Sequence, residues 1–244
     1  MDGSTAESAP WHYREAGAGP PLILLHGIGM SHAAWSAVTP RLQRRHRVIA
    51  FDIAGFGRTP PLQDGTPPNV SNLVDALETS LRKIGIRFPV DIAGNSLGGC
   101  LALEAAKRGT ARSVVAISPA GLWKKHEPAH VKYVFRILRF TAQRFPHLLK
   151  RAMFVPALRG IALAVPLSVG SRRMSAWDAV RTVHDLAEAK AFEATFENTR
   201  RPFSGRGITV PLTVAFGGRD YILPRWSRVR SELPTHTRWL EMPN

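Results

Sequence analysis

Short apolar runs ended by glycine alternate along this chain with stretches whose apolar residues recur every three or four positions. PLILLHG (21–27), RVIAFDIAGFG (47–57), FPVDIAG (88–94) and RSVVAISP (112–119) read as buried strands. Between them, SAVTPRLQRRH (36–46) has a weak helical rhythm. VSNLVDALETSLRKIG (70–85) sets Val70, Leu73, Val74, Leu77 and Leu81 on one helical face, with Gly85 as its stop. SLGGCLALEAAKRG (96–109) reads as a further helix. Continuous apolar strands alternating with helices predict an α/β fold, a mostly parallel sheet flanked by helices on both faces.

The rhythm breaks after Pro119. Residues 121–206 hold several helical stretches and no clear strand, the longest being AWDAVRTVHDLAEAKAFEATFEN (176–198). Strand–helix order resumes with ITVPLTVAFGG (208–218), a helix near 224–232 and a last strand, THTRWLEM (235–242). The pattern predicts a core of 11–120 and 207–244, interrupted by a helical cap at 121–206, with residues 1–10 as a flexible tail. There are no internal repeats, and TPPLQDGTPPN (59–69) reads as a Pro-rich loop.

The 244 residues are enough for one large domain, or for a core with an insert. Cys100 is the single cysteine, so the chain has no internal disulfide, which fits a reducing compartment, most simply the cytoplasm. The start, MDGSTAESAP, has neither the positive nor the apolar region of a signal peptide. The longest membrane candidate, GIALAVPLSVG (160–170), is too short to span and is broken by Pro166. The formal charge of +15 is concentrated: residues 124–173 contain eleven Lys and Arg against one acid, Glu127. A solvated basic face is the plainest account of that segment.

One string carries chemistry on its face. Gly94-Asn95-Ser96-Leu97-Gly98 fits G-x-S-x-G between a strand and a helix. The tight turn needs small flanking residues, lifts the serine oxygen above the sheet edge and aims a helix N-terminus at it. LLHGIGM (24–30), after the first buried strand, brings the Ile28 N–H toward the serine. With the N–H of Leu97 it would form an oxyanion hole, and His26 and Gly27 would shape the loop. FGGRDYILP (216–224) sets Asp220 just past the penultimate strand, where an acid can orient an imidazole or cap the following helix.

From about residue 11 to 242, these features together resemble the α/β-hydrolase fold superfamily: the HG loop (His26, Gly27), the DIAGFG loop (Asp52 to Gly57), the GNSLGG elbow and the GGRD acid loop, in that order and spacing. The resemblance implies a hydrolase without cofactor or metal that works through an acyl-enzyme. Ser96 would be the nucleophile, Asp220 the acid, and the Ile28 and Leu97 N–H groups the oxyanion hole. Serine at 96 argues against the dehalogenase and epoxide hydrolase branches, which attack with a carboxylate.

In that family the catalytic histidine follows the last strand, which here is TRWLEMPN, ending at Asn244. The resemblance therefore leads us to expect a chain shortened before its triad histidine and final helix, and poorly active as it stands. Of the nine histidines, His26 shapes the oxyanion loop, His32 lies further along that loop, and His12 and His46 are expected at the starts of strands, the wrong end of the sheet. His236 precedes the last strand, and His126, His130, His147 and His184 belong to the insert.

Substrate class rests on the insert. VKYVFRILRF (131–140) puts Val131, Val134, Phe135 and Leu138 on one face and Lys132, Arg136 and Arg139 on another. Such a helix can pack on the core, roof an acyl pocket or touch an anionic membrane surface. An ester-type, lipid-like small molecule is the expected substrate. The alternatives are a C–C bond hydrolase of ring-fission products, which Asn95 before the nucleophile resembles, and a catalytically silent small-molecule-binding protein. Without a recognition helix or aromatic platform, nucleic acid is not an expected partner. Oligomeric state is not legible.

Overall fold

The computed structural model of the chain describes residues 9–63, 65–164 and 174–243. Residues 1–8 of the expected tail lie outside them. A seven-stranded sheet runs through the molecule in the order β1-β3-β2-β4-β5-β6-β7. The strands are β1 (Tyr13–Ala16), β2 (Pro21–Leu25), β3 (Arg47–Phe51), β4 (Val90–Asn95), β5 (Ala111–Ile117), β6 (Leu212–Gly217) and β7 (Arg238–Met242). All neighbours pair parallel except β1 with β3. This is an α/β fold with a mostly parallel sheet.

Helices α1 (Thr39–Leu42), α2 (Val70–Lys83) and α3 (Leu97–Lys107) belong to the β–α alternation. Among the described residues, five more lie between β5 and β6: α4 (Ala129–Arg144), α5 (Pro146–Met153), α6 (Pro156–Ala164), α7 (Ala176–Glu188) and α8 (Phe192–Asn198). The α2 stripe Leu73, Val74, Leu77 and Leu81 is fully buried, as its spacing predicts. Asn69 caps that helix by accepting the Asn72 N–H at 2.9 Å.

The strand order sets the site. The chain leaves β2 toward β3 on one side and leaves β4 toward β5 on the other, so the loops beyond their carboxyl ends diverge. A crevice opens where the order reverses, between β2 and β4. Gly27-Ile28 follows β2 and Ser96 follows β4, which puts both at that crevice.

Three expectations are corrected, and one strand is new. Strand β1 was not foreseen. It is four residues long with Arg14 and Glu15 exposed, and it runs antiparallel, with Tyr13 opposite Phe51 at the carboxyl end of β3. His12 therefore sits at the carboxyl end of the sheet, not the wrong end.

The 176–198 stretch is two helices. Between them the Ala191 N–H is taken by the Gly55 carbonyl at 3.2 Å, a tertiary bond that breaks the helix without glycine or proline. The helix expected at 224–232 is only a single turn, Arg225–Ser227. Beyond it the Val229 N–H bonds Leu122 O at 2.7 Å and the Arg228 side chain turns inward, drawing the backbone out of helical form.

The two faces of the sheet are also unequal. The large core cluster joins one face to α2 and α3. On the other, Trp35 packs with Leu24, Val48 and Ala50 over β2 and β3, while Val115 on β5 remains 41% exposed.

Candidate active site

Ser96 stands between β4 and α3 with φ 50° and ψ −113°, outside the regions an L-residue ordinarily occupies. Holding it there costs about 1–3 kcal/mol, which the surrounding structure must offset. Its N–H donates to Ile117 O at 2.9 Å, and its carbonyl accepts from Cys100 and Ala120. The flanking glycines are required by space. A Cβ on Gly94 would run into the Gly98 carbonyl, and one on Gly98 would run into the Leu25 carbonyl. Asn95 donates from Nδ2 to Ile117 O at 3.2 Å.

The loop after β2 is drawn against this turn. Gly98 N–H donates to His26 O at 3.1 Å, and a Cβ built on Gly27 would lie 3.3 Å from the Ser96 Cβ. His26 is fully buried. Its Nδ1 donates to Gly27 O at 2.7 Å and its Nε2 accepts the Ile53 N–H at 2.9 Å. Burial pushes the imidazole down to about 4, so it is neutral with both nitrogens committed to backbone. Among the described residues, neither the Ile28 nor the Leu97 N–H is spent on a protein acceptor, and both residues line one cleft with Ser96.

That cleft is small, with a cavity volume of about 30 Å³, and is open at its mouth. The core contributes Ser96, Ile28 and Leu97, and the 121–206 segment contributes Trp123, Phe135 and Phe196. Glu127 is the charged residue in the lining. Burial pushes its carboxyl above the usual range, against the pull of Arg200, whose Nε donates to it at 3.1 Å.

Asp220 lies past β6, two strands from β4, about 10 Å across the sheet. Its Oδ1 accepts the N–H groups of Ile222 at 3.1 Å and Leu223 at 2.9 Å. Arg228 fixes the same loop, donating to Leu223 O at 2.6 Å and Gly217 O at 3.3 Å with its guanidinium 4.5 Å over Phe216.

Asp52 is a hydrogen-bond hub that holds His32 on the loop after β2. Fully buried, it accepts His12 Nδ1 and His32 Nδ1 at 2.8 Å each, the His32 N–H at 2.6 Å and the Arg58 N–H at 3.0 Å. Burial alone would raise its carboxyl, but these donors hold it well below the ordinary range. The ligand atoms of His12, His32 and Asp52 lie within 4.8 Å of one another, a set that could gather round a cation. Each carboxylate oxygen already accepts two N–H bonds, so the cluster works as a hydrogen-bond hub.

The sequence model of the Alpha/beta hydrolase family matches residues 22–244. The chain belongs to this family. The 2-hydroxy-6-oxo-6-(2'-aminophenyl)hexa-2,4-dienoic acid hydrolase of Metapseudomonas resinovorans is 30% identical over 87% of the chain and 72% of its own length. An uncharacterized protein of Mycobacterium tuberculosis is 27% identical over 87% of the chain, but the chain spans only 65% of that relative. A marine microorganism esterase shares the fold, with a TM-score of 0.68 at 19% identity over 97% of the chain and 92% of its own.

None of the nine histidines of this alpha/beta hydrolase chain bonds Ser96 or Asp220. His12 and His32 serve Asp52, His130 Nε2 bonds Tyr221 O at 3.0 Å, and His236 Nε2 bonds Val210 O at 3.1 Å. Sequence reasoning missed Glu127 and Arg228 as site residues. Glu127 had one signal, as the lone acid of a basic segment, and Arg228 had none. No helix among the described residues is long and apolar enough to cross a membrane.

Proposed function

We propose that this chain carries the catalytic core of a serine hydrolase for esters with an apolar acyl group, capped by the helices of 121–206. Ser96 Oγ attacks the ester carbonyl, and the Ile28 and Leu97 N–H groups hold the tetrahedral oxyanion. The alcohol then leaves, and water hydrolyses the acyl-enzyme. Asp220 orients the base. None of the nine histidines is bonded to serve as that base, so the proposal assigns it to a histidine following residue 244. The observation that carries the reading is the shared cleft: Ser96 in its strained turn, with two unspent N–H groups beside it.

A C–C bond hydrolase is the second reading, favoured by the 30% identity to the M. resinovorans enzyme. The lining weighs against it. The described cleft offers an anionic substrate a carboxyl, Glu127, where recognition would call for a cation.

The test assays short p-nitrophenyl esters with the chain as given, with the chain continued through its reading frame past Asn244, and with Ser96→Ala in the continued protein. The continued protein should exceed the given chain by about 10³-fold or more, and Ser96→Ala should lose that gain. Equal inactivity of the first two would sink the proposal. Preference for a vinylogous diketone acid over esters would favour the second reading.

A further inference from the structure

Helix α4 has two apolar faces. The inner one carries Val131 and Phe135 into the cleft. The outer one carries Tyr133, Ile137 and Phe140, spaced i, i+4, i+7 and each about two-thirds exposed. The next two helices, of which α5 packs on α4 and α6 on α5, add exposed apolar residues of their own: Leu148 on α5 and Leu158 and Ile161 on α6. A soluble surface rarely gathers this many large apolar side chains without a partner.

The charges on this segment are almost all basic. Residues 124–164 contain nine Lys and Arg and a single acid, Glu127, whose carboxyl is buried beside Arg200. Lys132, Arg136 and Arg139 pair with Glu193 or Glu197 on α8. Lys124, Lys125, Arg144, Lys150 and Arg151 are exposed and have no carboxylate partner among the described residues.

We propose that the outer surface of α4–α6 docks on an anionic phospholipid bilayer. Exposed apolar side chains on the same helical segment as exposed cations without carboxylate partners match an interface that has acyl chains below and negative headgroups above. A nucleic acid would satisfy the cations but leave Ile137, Leu148 and Ile161 in water. A second copy of the chain would cover the apolar residues but bring like charges together. Docking sets the helix that lines the cleft directly on the lipid, so an apolar ester need not cross water to reach Ser96. The docking does not depend on hydrolysis and is measured apart from it.

The test is co-sedimentation with vesicles of phosphatidylcholine alone and of phosphatidylcholine with roughly one third phosphatidylglycerol, at low and high salt. The chain should bind the mixed vesicles at least about tenfold more tightly than the neutral ones, and salt should weaken that binding. Lys150→Glu with Arg151→Glu should weaken it about tenfold or more. Ile137→Gln with Ile161→Gln should weaken it while keeping the salt dependence, which separates insertion from plain electrostatics. Failure to prefer anionic vesicles overturns the proposal. So does concentration-dependent dimerisation in solution that the Ile137→Gln/Ile161→Gln variant abolishes while vesicles bind neither form. The wild-type vesicle comparison stands whether or not a variant folds.

Discussion

The His26 carbonyl accepts the N–H of Gly98 at 3.1 Å, which ties the loop after β2 to the first turn of α3. The Ile28 N–H and Ser96, the proposed oxyanion donor and nucleophile, are therefore placed by one contact between two backbones. Gly98→Ala would push a Cβ into the Leu25 carbonyl. It should cost at least about 3 kcal/mol in denaturant melts, since neither backbone can give. Gly109→Ala is the control: its φ is +80° but nothing lies within 4 Å, so only the conformational cost of about 1 kcal/mol applies. Equal effects at the two positions would refute the packing argument.

His26 predicts a pH dependence. Its folded-state value is about 4 and its ordinary value 6.5, so between those pH values the unfolded chain holds a proton that the folded chain lacks. Stability contributed by neutral His26 is complete above about 6.5 and is lost as pH falls toward 4, amounting to about 3 kcal/mol. Urea midpoints measured from pH 7.5 to 4.5 should fall, and an NMR titration should leave the His26 ring neutral down to at least pH 5. A folded-state titration near 6.5 would overturn this.

Asp52→Asn tests the hub. The carboxylate accepts four N–H donors, and an amide offers one oxygen and turns its own N–H groups toward some of those donors. The loss should be about 3 kcal/mol. Asp75→Asn, at an exposed pair with Arg108, should cost less than about 1 kcal/mol. Comparable losses from the two variants would mean that Asp52 is no hub.

What the sequence showed and what it hid divide along local and tertiary causes. Strands β2 to β6 are legible as apolar runs because both neighbours of each are strands. The GNSLG turn is legible because its geometry demands glycine on either side. Strand β1 is hidden, since YREA on the sheet edge exposes its middle residues. The break at Ala189–Ala191 is hidden because a carbonyl 136 residues earlier, on Gly55, causes it. The roles of His12 and Arg228 depend on partners that only the fold brings near. On α4 the periodicity shows the inner stripe of Val131 and Phe135 and the basic face, whereas the exposed apolar residues Tyr133, Ile137 and Phe140 become visible only in the fold.

Glu127 should set which esters enter. Its carboxyl, bonded to Arg200, is the charged group in a mainly apolar lining, so an acyl chain ending in a carboxylate must approach a like charge that one guanidinium only partly offsets. Glu127→Gln, assayed in the protein that shows ester hydrolysis, should raise kcat/KM for a p-nitrophenyl hemi-ester of a dicarboxylic acid relative to p-nitrophenyl butyrate by about tenfold. Because burial holds the Glu127 carboxyl above its usual range, it takes up a proton earlier on acidification than an exposed glutamate does. The wild-type bias against the anionic ester should therefore relax as pH falls through that raised value, while the Gln variant shows no such change. A substrate ratio that is the same in both proteins at every pH would remove Glu127 from the determinants of specificity and reopen the reading in which the cleft accepts an acid.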